Sequence, residues 1–269
     1  MLALHGLEGS ARRGYMQALY RELALSGIRS VGMNYRTCSG EMNRTATLYH
    51  AGKTDDVALA HQWTRQCFPH VPFGMVGFSL GGSMLLKYLG EYGDACAGDV
   101  LAGVAISPPF NFHISFPFFQ HATGRHYARL LLRSLKRKIK LKREQLEGVI
   151  DVKAALRART LKQFDERVTV PLNGFRDVSD YYEWANCEPY IDCVRIPVLI
   201  LRSLDDPFFS TGDIPYELLA KHPYLYPHFT QYGGHVGFVE GVPGRWRFWA
   251  ERQAALWVAT WLHGALQAA

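Results

Sequence analysis

The stretch Phe73-Gly-Met-Val-Gly-Phe-Ser-Leu-Gly-Gly-Ser-Met84 decides the fold, because it runs from an apolar strand candidate through a serine into a helical pattern. Within it, Gly77-Phe-Ser-Leu-Gly81 places glycine two positions before and two positions after Ser79. A sharp strand-to-helix turn needs small residues there, because its strained backbone brings both positions close to neighbouring strands. The sequence therefore predicts that Ser79 lies at the tip of such a turn.

Further strand candidates alternate with helical segments on both sides of this turn. The apolar or β-rich runs are Met1–Leu4, Ile28–Asn34, Phe73–Phe78, Val100–Ser107, Val198–Ser203 and Pro227–Tyr232. Helical spacing occurs in Tyr15–Ser26, Thr54–Gln66 and Gly82–Tyr92, and in the C-terminal stretch from Trp246 onward. We expect the tryptophans of that last stretch, including Trp246 and Trp261, to be core anchors. The alternation predicts an α/β fold with a mostly parallel sheet and helices on both faces.

The alternation breaks between Pro108 and Tyr190, where helical, basic and aromatic segments follow one another without a convincing strand. We interpret residues 108–190 as a helical insertion between two strands, and residues 1–107 and 191–269 as the core. Neither an internal repeat nor a Gly/Ser-rich linker indicates a second independent domain.

The composition excludes several classes of protein. The chain has 269 residues, of which 48% are hydrophobic and 20% charged, so it can bury a substantial core. Intrinsic disorder, collagen-like repeats and a small disulfide-stapled scaffold are therefore excluded. The net charge of +6 is local, because residues 125–143 contain nine basic and no acidic side chains, which leaves the rest of the chain slightly acidic.

The cysteines and the N-terminus bear on the cellular compartment. Five cysteines, without a C-x-x-C pair, fit neither a disulfide framework nor a zinc ribbon and favour a reducing compartment. The N-terminus carries no signal-peptide pattern, and apolar runs stay below the roughly 18 residues that a spanning helix needs. We expect a cytoplasmic protein.

The basic segment 125–143 has two interpretations. Its apolar residues recur at helical spacing at Ala128, Leu131, Leu132, Leu135 and Ile139. The stripe either packs on the domain with its cations in solvent, which we favour, or rests on an anionic membrane surface or receives a lipid-like substrate. Because no recognised nucleic-acid motif accompanies the charge, we expect no nucleic-acid partner. The sequence does not predict an oligomeric state.

Two polar groups downstream of Ser79 complete a candidate catalytic set. A serine hydroxyl needs a histidine to take its proton and a carboxylate to orient that histidine, in the chain order serine, acid, histidine. His235 follows the last strand candidate and is the predicted general base. Asp205 and Asp206 follow the Val198–Ser203 run. We choose Asp205, the first after the turn, and keep Asp206 as the alternative acid, because it precedes a proline and fits a turn-stabilising role.

Ester chemistry through a tetrahedral intermediate also needs hydrogen-bond donors for the developing oxyanion. The predicted donors are the backbone N–H groups of Leu80, directly after the nucleophile, and of Leu7, in the loop after the first strand candidate. The chain has no H-E-x-x-H motif and its histidines are scattered, so we predict neither a metal site nor a cofactor.

These motifs together resemble the α/β-hydrolase family, in its branch of bacterial YheT-type esterases, plant EMB8-like proteins and animal ABHD1/ABHD3 proteins. The resemblance is carried by His5–Ser10, Asn34–Glu41, Tyr49–Asp56, Gly77–Met84, Leu204–Phe208 and Gly233–Phe238. It implies a serine hydrolase of carboxylic esters with a helical cap formed by residues 108–190. Family members usually carry further strands before the His-Gly motif, so the resemblance also implies that N-terminal strands are missing here.

The sequence is therefore compatible with three functions. The first is an esterase with a Ser79, His235 and Asp205 triad, acting through an acyl-enzyme on small-molecule esters of short or medium acyl chains or on lipid-like esters. The second is an acyltransferase that passes the acyl group to an alcohol with the same residues. The third is a catalytically silent binding protein with the same fold.

Overall fold

A six-stranded parallel sheet forms the centre of the computed structural model, which describes residues 1–119, 124–242 and 244–268. Its strands are β1 (Leu2–Leu4), β2 (Val31–Met33), β3 (Gly74–Phe78), β4 (Ala102–Ile106), β5 (Val198–Ser203) and β6 (Leu225–Thr230). They lie in the order β2-β1-β3-β4-β5-β6, and each pair of neighbours is parallel. A separate antiparallel hairpin joins β7 (Val239–Val242) to β8 (Arg245–Phe248).

Helices follow the strands along the chain. The first four are α1 (Gly14–Leu25), α2 (Thr54–Cys67), α3 (Leu80–Tyr92) and α4 (Asp94–Ala97). Between β4 and β5 lie α5 (Phe112–Phe119), α6 (Gly124–Leu141), α7 (Arg143–Leu146), α8 (Val152–Leu156), α9 (Leu161–Phe164), α10 (Val170–Asn173) and α11 (Val178–Ala185). The last two are α12 (Tyr216–Lys221) and α13 (Trp249–Ala268). A π-helical turn spans Asp165–Thr169, and 3₁₀ turns span Glu188–Cys193 and Thr211–Asp213.

Strand side chains alternate between two hydrophobic clusters, one on each face of the sheet. In β1, Leu2 and Leu4 join the cluster that contains α2 and α3, while Ala3 joins the cluster that contains α1 and α13. This alternation follows from the period of two of a β-strand. The predicted α/β fold with helices on both faces is therefore confirmed.

The described elements inside the helical insertion are all helices; α11 packs in the cluster that contains α2 and α3, while those from α6 to α9 form a third hydrophobic cluster. The apolar stripe of α6 lies in that cluster, with Ala128, Leu132, Leu135 and Ile139 buried. These four side chains of the stripe thus pack on the protein. Among the described helices, none has the length and apolar character that would let it cross a membrane.

The C-terminal tryptophans differ from the prediction. The final helix begins only at Trp249, and Trp246 lies in β8 with 58% of its surface exposed. Gly241 and Gly244 have positive φ angles of 103° and 84°, which let the chain form a hairpin before the helix. Trp261 on α13 is 37% exposed, so these two tryptophans are not core anchors.

Candidate active site

Ser79 lies on a strained turn between β3 and α3, as the sequence predicts. Its backbone has φ 53° and ψ −120°, a region that residues with a side chain rarely adopt. The turn is possible because both flanking positions, which are crowded by backbone atoms, are glycines without a side chain. A Cβ on Gly77 would lie 2.2 Å from the Gly81 carbonyl oxygen, and one on Gly81 would lie 2.6 Å from the Leu4 carbonyl oxygen.

His235 lies in the loop after β6 and meets the serine directly. Its Nε2 is 2.8 Å from Oγ of Ser79. Two serines at the ends of neighbouring strands hold the histidine loop by its backbone: the Ser107 hydroxyl donates to the His235 carbonyl, and the Ser203 hydroxyl donates to the Gly234 carbonyl. Sequence reasoning missed these two contacts, because a strand-end serine gives no signal of a partner more than 30 residues away.

The structure brings the alternative acid, and not the aspartate that we chose, to the histidine. Asp206, and not Asp205, contacts the histidine: its Oδ2 is 2.8 Å from Nδ1 of His235. The Asp206 side chain is 1% exposed. Asp205 is exposed and instead accepts a hydrogen bond from the backbone N–H of Gly234 at 2.8 Å.

The turn after β5 explains this one-residue difference. Leu204 and Asp205 form the turn itself, so the chain reaches the histidine only at the next residue. Pro207 restricts Asp206 to extended conformations. The backbone bonding expected of Asp206 is also present, because its second oxygen accepts from the N–H of Phe208 at 2.8 Å. One carboxylate therefore both stabilises the loop and orients the imidazole.

Aromatic side chains shield the imidazole from solvent. The His235 ring lies 4.5 Å from the Phe208 ring and 4.9 Å from the Phe209 ring, measured between centroids. His235 is only 9% exposed. Exclusion of water strengthens the electrostatic interactions among the polar groups of such a site.

The loop after β1 lies against the serine and carries Leu7, one of the two predicted donors, while Leu80, the other, is the first residue of α3. A Cβ on Gly6 would be 3.7 Å from Oγ of Ser79. Leu7 and Leu80 both line the cavity at Ser79, and the backbone N–H of neither residue donates to another group among the described residues. Unpaired N–H groups at this position are suited to binding an oxyanion.

Two buried side chains shape that loop. His5 is fully buried, with Nδ1 2.8 Å from the Gly6 carbonyl oxygen and Nε2 accepting from the Tyr35 N–H at 3.3 Å. Burial lowers the pKa of His5 to about 4, so the ring is neutral at pH 7. Tyr15 accepts a hydrogen bond from the Gly6 N–H at 3.0 Å. His5 therefore shapes the loop and does not contact Ser79.

A cavity of about 160 Å³ opens beside Ser79 and His235. Its walls are almost entirely apolar and include side chains from the helical insertion: Phe112, Phe116, Phe119 and Leu131. A smaller cavity of about 40 Å³ lies behind it and shares the wall residues Leu7, Leu80 and Phe116. The helical insertion thus covers the serine and forms much of the space that a ligand would enter.

The wall of the smaller cavity includes one half-buried acid, Asp165. The Asp165 carboxylate accepts hydrogen bonds from the Thr169 hydroxyl at 2.6 Å and the Tyr182 hydroxyl at 3.2 Å. Burial raises the pKa of Asp165 to about 7. Near neutral pH this carboxyl therefore holds a proton more readily than an ordinary aspartate, which lessens the polarity of the cavity wall.

Comparison with known proteins gives relatives at both the sequence and the structural level. A family model described as alpha/beta hydrolase fold matches residues 1–242. YheT of Escherichia coli K12 is 33% identical over 264 residues, which cover 97% of this chain and 77% of YheT. The monoacylglycerol lipase of Saccharomyces cerevisiae is 32% identical over 259 residues, which cover 93% of this chain and 57% of the lipase. The chain thus spans little more than half the length of that lipase.

Among solved structures, the esterase Pf2001 of Pyrococcus furiosus superposes with a TM-score of 0.61 at 15% identity. The match covers 97% of this chain and 82% of that esterase. At this identity the likeness concerns the fold alone.

Proposed function

The chain belongs to the α/β-hydrolase family, and we propose that it is a serine hydrolase that cleaves carboxylic esters. The observation that carries the proposal is the hydrogen-bonded sequence from Asp206 through His235 to Ser79, with 2.8 Å at each step. It ends beside an apolar cavity and two unpaired backbone donors. Acyl transfer requires these components: an activated nucleophile, an oriented base and a site for the oxyanion.

Each group has a defined task in the proposed reaction. The Asp206 carboxylate accepts from Nδ1–H of His235, which leaves the Nε2 lone pair facing the hydroxyl of Ser79. As Oγ bonds to the ester carbonyl carbon, Nε2 takes the hydroxyl proton, and the carbonyl oxygen becomes an oxyanion held by the N–H groups of Leu7 and Leu80. The carbon–oxygen bond of the ester then breaks, and His235 gives its proton to the leaving alcohol.

The second half of the reaction uses the same groups. His235 removes a proton from water, whose oxygen bonds to the acyl carbon of the ester formed on Ser79. The second tetrahedral intermediate collapses, the carboxylic acid leaves, and the proton on Nε2 returns to Oγ of Ser79. Serine and histidine are regenerated, so no external oxidant, reductant or metal takes part in the balance.

The cavity supports a short or medium acyl chain. A space of about 160 Å³ is similar to a cavity known to hold one benzene ring, which corresponds to roughly six carbon atoms. The smaller cavity behind Phe116 offers further apolar space if that ring moves. One relative, from Saccharomyces cerevisiae, is named as a monoacylglycerol lipase, and a monoacylglycerol is a lipid-like ester. We therefore include lipid-like esters in the proposed substrate class.

We also propose that the outer surface of α6 contacts anionic membranes. Five of its cations, together with Arg159, line a shallow surface groove of about 730 Å³ that contains no acidic side chain. The five are Arg129, Arg133, Lys136, Arg137 and Lys140. Tyr127 and Leu130 add exposed apolar surface on the same helix. Each such cation contributes about 1 kcal/mol of attraction to an anionic surface.

Vesicle sedimentation tests this contact. We expect binding to vesicles with phosphatidylserine, release at about 1 M salt because charges are then screened beyond a few ångströms, and roughly fivefold weaker binding for Arg133→Gln. Vesicle binding that changes neither with the salt concentration nor with the Arg133→Gln substitution would contradict the proposal.

Turnover of p-nitrophenyl esters of increasing chain length tests the proposed function. We expect hydrolysis by the wild type, loss of turnover in Ser79→Ala, and a preference for acyl chains of about six carbons. Transfer of the acyl group to an added alcohol in preference to water would favour the acyltransferase. Absence of turnover by a folded wild type on every ester would favour the silent binding protein.

A further inference from the structure

Glu8, in the loop that presents the Leu7 N–H, is tied to the helical insertion by a buried ion pair. Its Oε1 accepts from Nζ of Lys138 at 2.6 Å, and its Oε2 accepts from the Ser134 hydroxyl at 2.5 Å. Both donors lie on α6. The Glu8 side chain is 2% exposed and that of Lys138 11% exposed. A solvent-facing lysine was expected at this position, so the structure gives it a partner that the sequence did not reveal.

The same carboxylate is held from the core side. The Tyr49 hydroxyl donates to Oε1 of Glu8 at 2.8 Å and accepts from the Glu8 backbone N–H at 2.8 Å. Nζ of Lys138 also lies 3.2 Å from Sγ of Cys38 and 5.1 Å from the centre of the Tyr49 ring. Glu8 therefore joins the core and the insertion through one desolvated group, and charged hydrogen bonds of this kind are strong and directional.

The backbone geometry connects this pair to the candidate oxyanion site. Glu8 has φ 54°, and the turn closes with a 3.0 Å hydrogen bond from the Gly9 N–H to the Gly6 carbonyl. Because a residue with a side chain disfavours this conformation, the contacts of Glu8 must hold it in place. A change at Glu8 rotates the adjoining peptide, and the Leu7 N–H is one residue away.

We propose that Glu8, Lys138 and Ser134 are positioning residues that align the Leu7 N–H with the oxyanion only when α6 is seated on the core. The inference rests on the proposed function and adds a link between the helical insertion and catalysis. Without the two contacts from α6, Glu8 keeps only one of its three side-chain donors, the Tyr49 hydroxyl.

Lys138→Met removes the charge while keeping an unbranched side chain, and Lys153→Met is the matched control because Lys153 is exposed on α8 of the same helical insertion. Loss of one oxyanion donor slows turnover by about 10²–10³, so misalignment of one donor should lower kcat by about 10- to 100-fold. We expect KM to change less than about threefold, because Lys138 does not line the cavity beside Ser79. Ser134→Ala is a milder variant, for which we expect a smaller fall in kcat, and Lys153→Met should match the wild type.

A trifluoromethyl ketone separates positioning from general stability, because its adduct with serine carries an oxyanion. Its inhibition constant should rise in Lys138→Met and Ser134→Ala by the same factor by which kcat/KM falls. Variants that only lower the unfolding temperature, with unchanged kcat and unchanged inhibition when folded, would overturn the inference. If the wild type itself neither turns over esters nor binds the ketone, the proposed function fails instead.

Discussion

The carboxylate of Asp206 accepts a hydrogen bond from Nδ1 of His235 at 2.8 Å, and both side chains are almost completely buried. The other oxygen of this carboxylate is held by the backbone N–H of Phe208. An acid fixed in this way keeps the imidazole proton on Nδ1 and the lone pair on Nε2 toward Ser79. The pair thereby determines the protonation state that the proposed base needs.

Replacing each of the two adjacent aspartates by asparagine should have very different effects on kcat. We expect Asp206→Asn to lower kcat by about 10³–10⁴, because the amide favours the wrong histidine tautomer. Asp205→Asn should lower it by less than about tenfold, since it perturbs one exposed hydrogen bond to the Gly234 N–H. Steady-state hydrolysis of a p-nitrophenyl ester measures both. A larger loss of kcat for Asp205→Asn than for Asp206→Asn would indicate that Asp205 is the acid that orients His235.

The sequence predicted the strand before these aspartates correctly but not the choice between them. β5 has the predicted bounds Val198–Ser203, because a continuous apolar run marks a strand buried on both faces. Which of the two aspartates reaches the histidine depends on how many residues the turn after β5 contains. Hydrophobic spacing does not encode the length of a turn. The β7–β8 hairpin was missed for a similar reason: it is exposed and carries little periodic apolar signal.

The burial of Lys138 also lay beyond sequence reasoning. Its partner Glu8 is 130 positions away, and a lysine in a run of cations looks like any solvated one. By contrast, Ser79 and His235 were predictable because glycines flank both residues and indicate backbone conformations that a residue with a side chain rarely adopts. Local strain is visible in a sequence, whereas long-range pairing is not.

The Phe116 ring should limit the length of the acyl chain. It lines both cavities, so Phe116→Ala is expected to join them. Each additional buried methylene contributes about 0.8 kcal/mol, so two more should raise kcat/KM for longer esters relative to butyrate by roughly tenfold. The control is Phe118→Ala, because Phe118 is on the same helix but 41% exposed. An unchanged chain-length profile in Phe116→Ala would contradict this assignment.

A buried ion pair anchors the start of the helical insertion to the acid loop. Nη1 of Arg202 lies 2.5 Å from Oδ1 of Asp213, and both side chains are fully buried. Asp213→Asn leaves the guanidinium uncompensated and should lower the free energy of unfolding by about 3–5 kcal/mol. Urea unfolding measures this change. Glu217→Gln, in the exposed pair with Lys221, is the control and should have no measurable effect; equal effects of the two substitutions would contradict the prediction.

Asp165 should make stability depend on pH. Burial raises its pKa from 3.8 to about 7, so between these values the folded protein holds a proton that the unfolded chain has released. The contribution of this group to the free energy of unfolding therefore falls as pH rises through that window, by on the order of 4 kcal/mol in total. Asp165→Asn should remove this fall.

Urea unfolding at about pH 4.5 and pH 8 tests the sign. The stability of Asp165→Asn relative to the wild type should rise with pH, while the pH dependence from Glu251, whose pKa is also raised to about 7 by burial, persists in both proteins. A stability difference that stays constant with pH would show that Asp165 titrates normally.

The most direct test of the central claim is covalent labelling with a fluorophosphonate, which reacts only with an activated serine. We predict one adduct on the wild type, mapped by peptide mass spectrometry to Ser79, none on Ser79→Ala, and much slower labelling of Asp206→Asn. Equal labelling of wild type and Ser79→Ala, or an adduct on another residue, would contradict the assignment of Ser79 as the nucleophile.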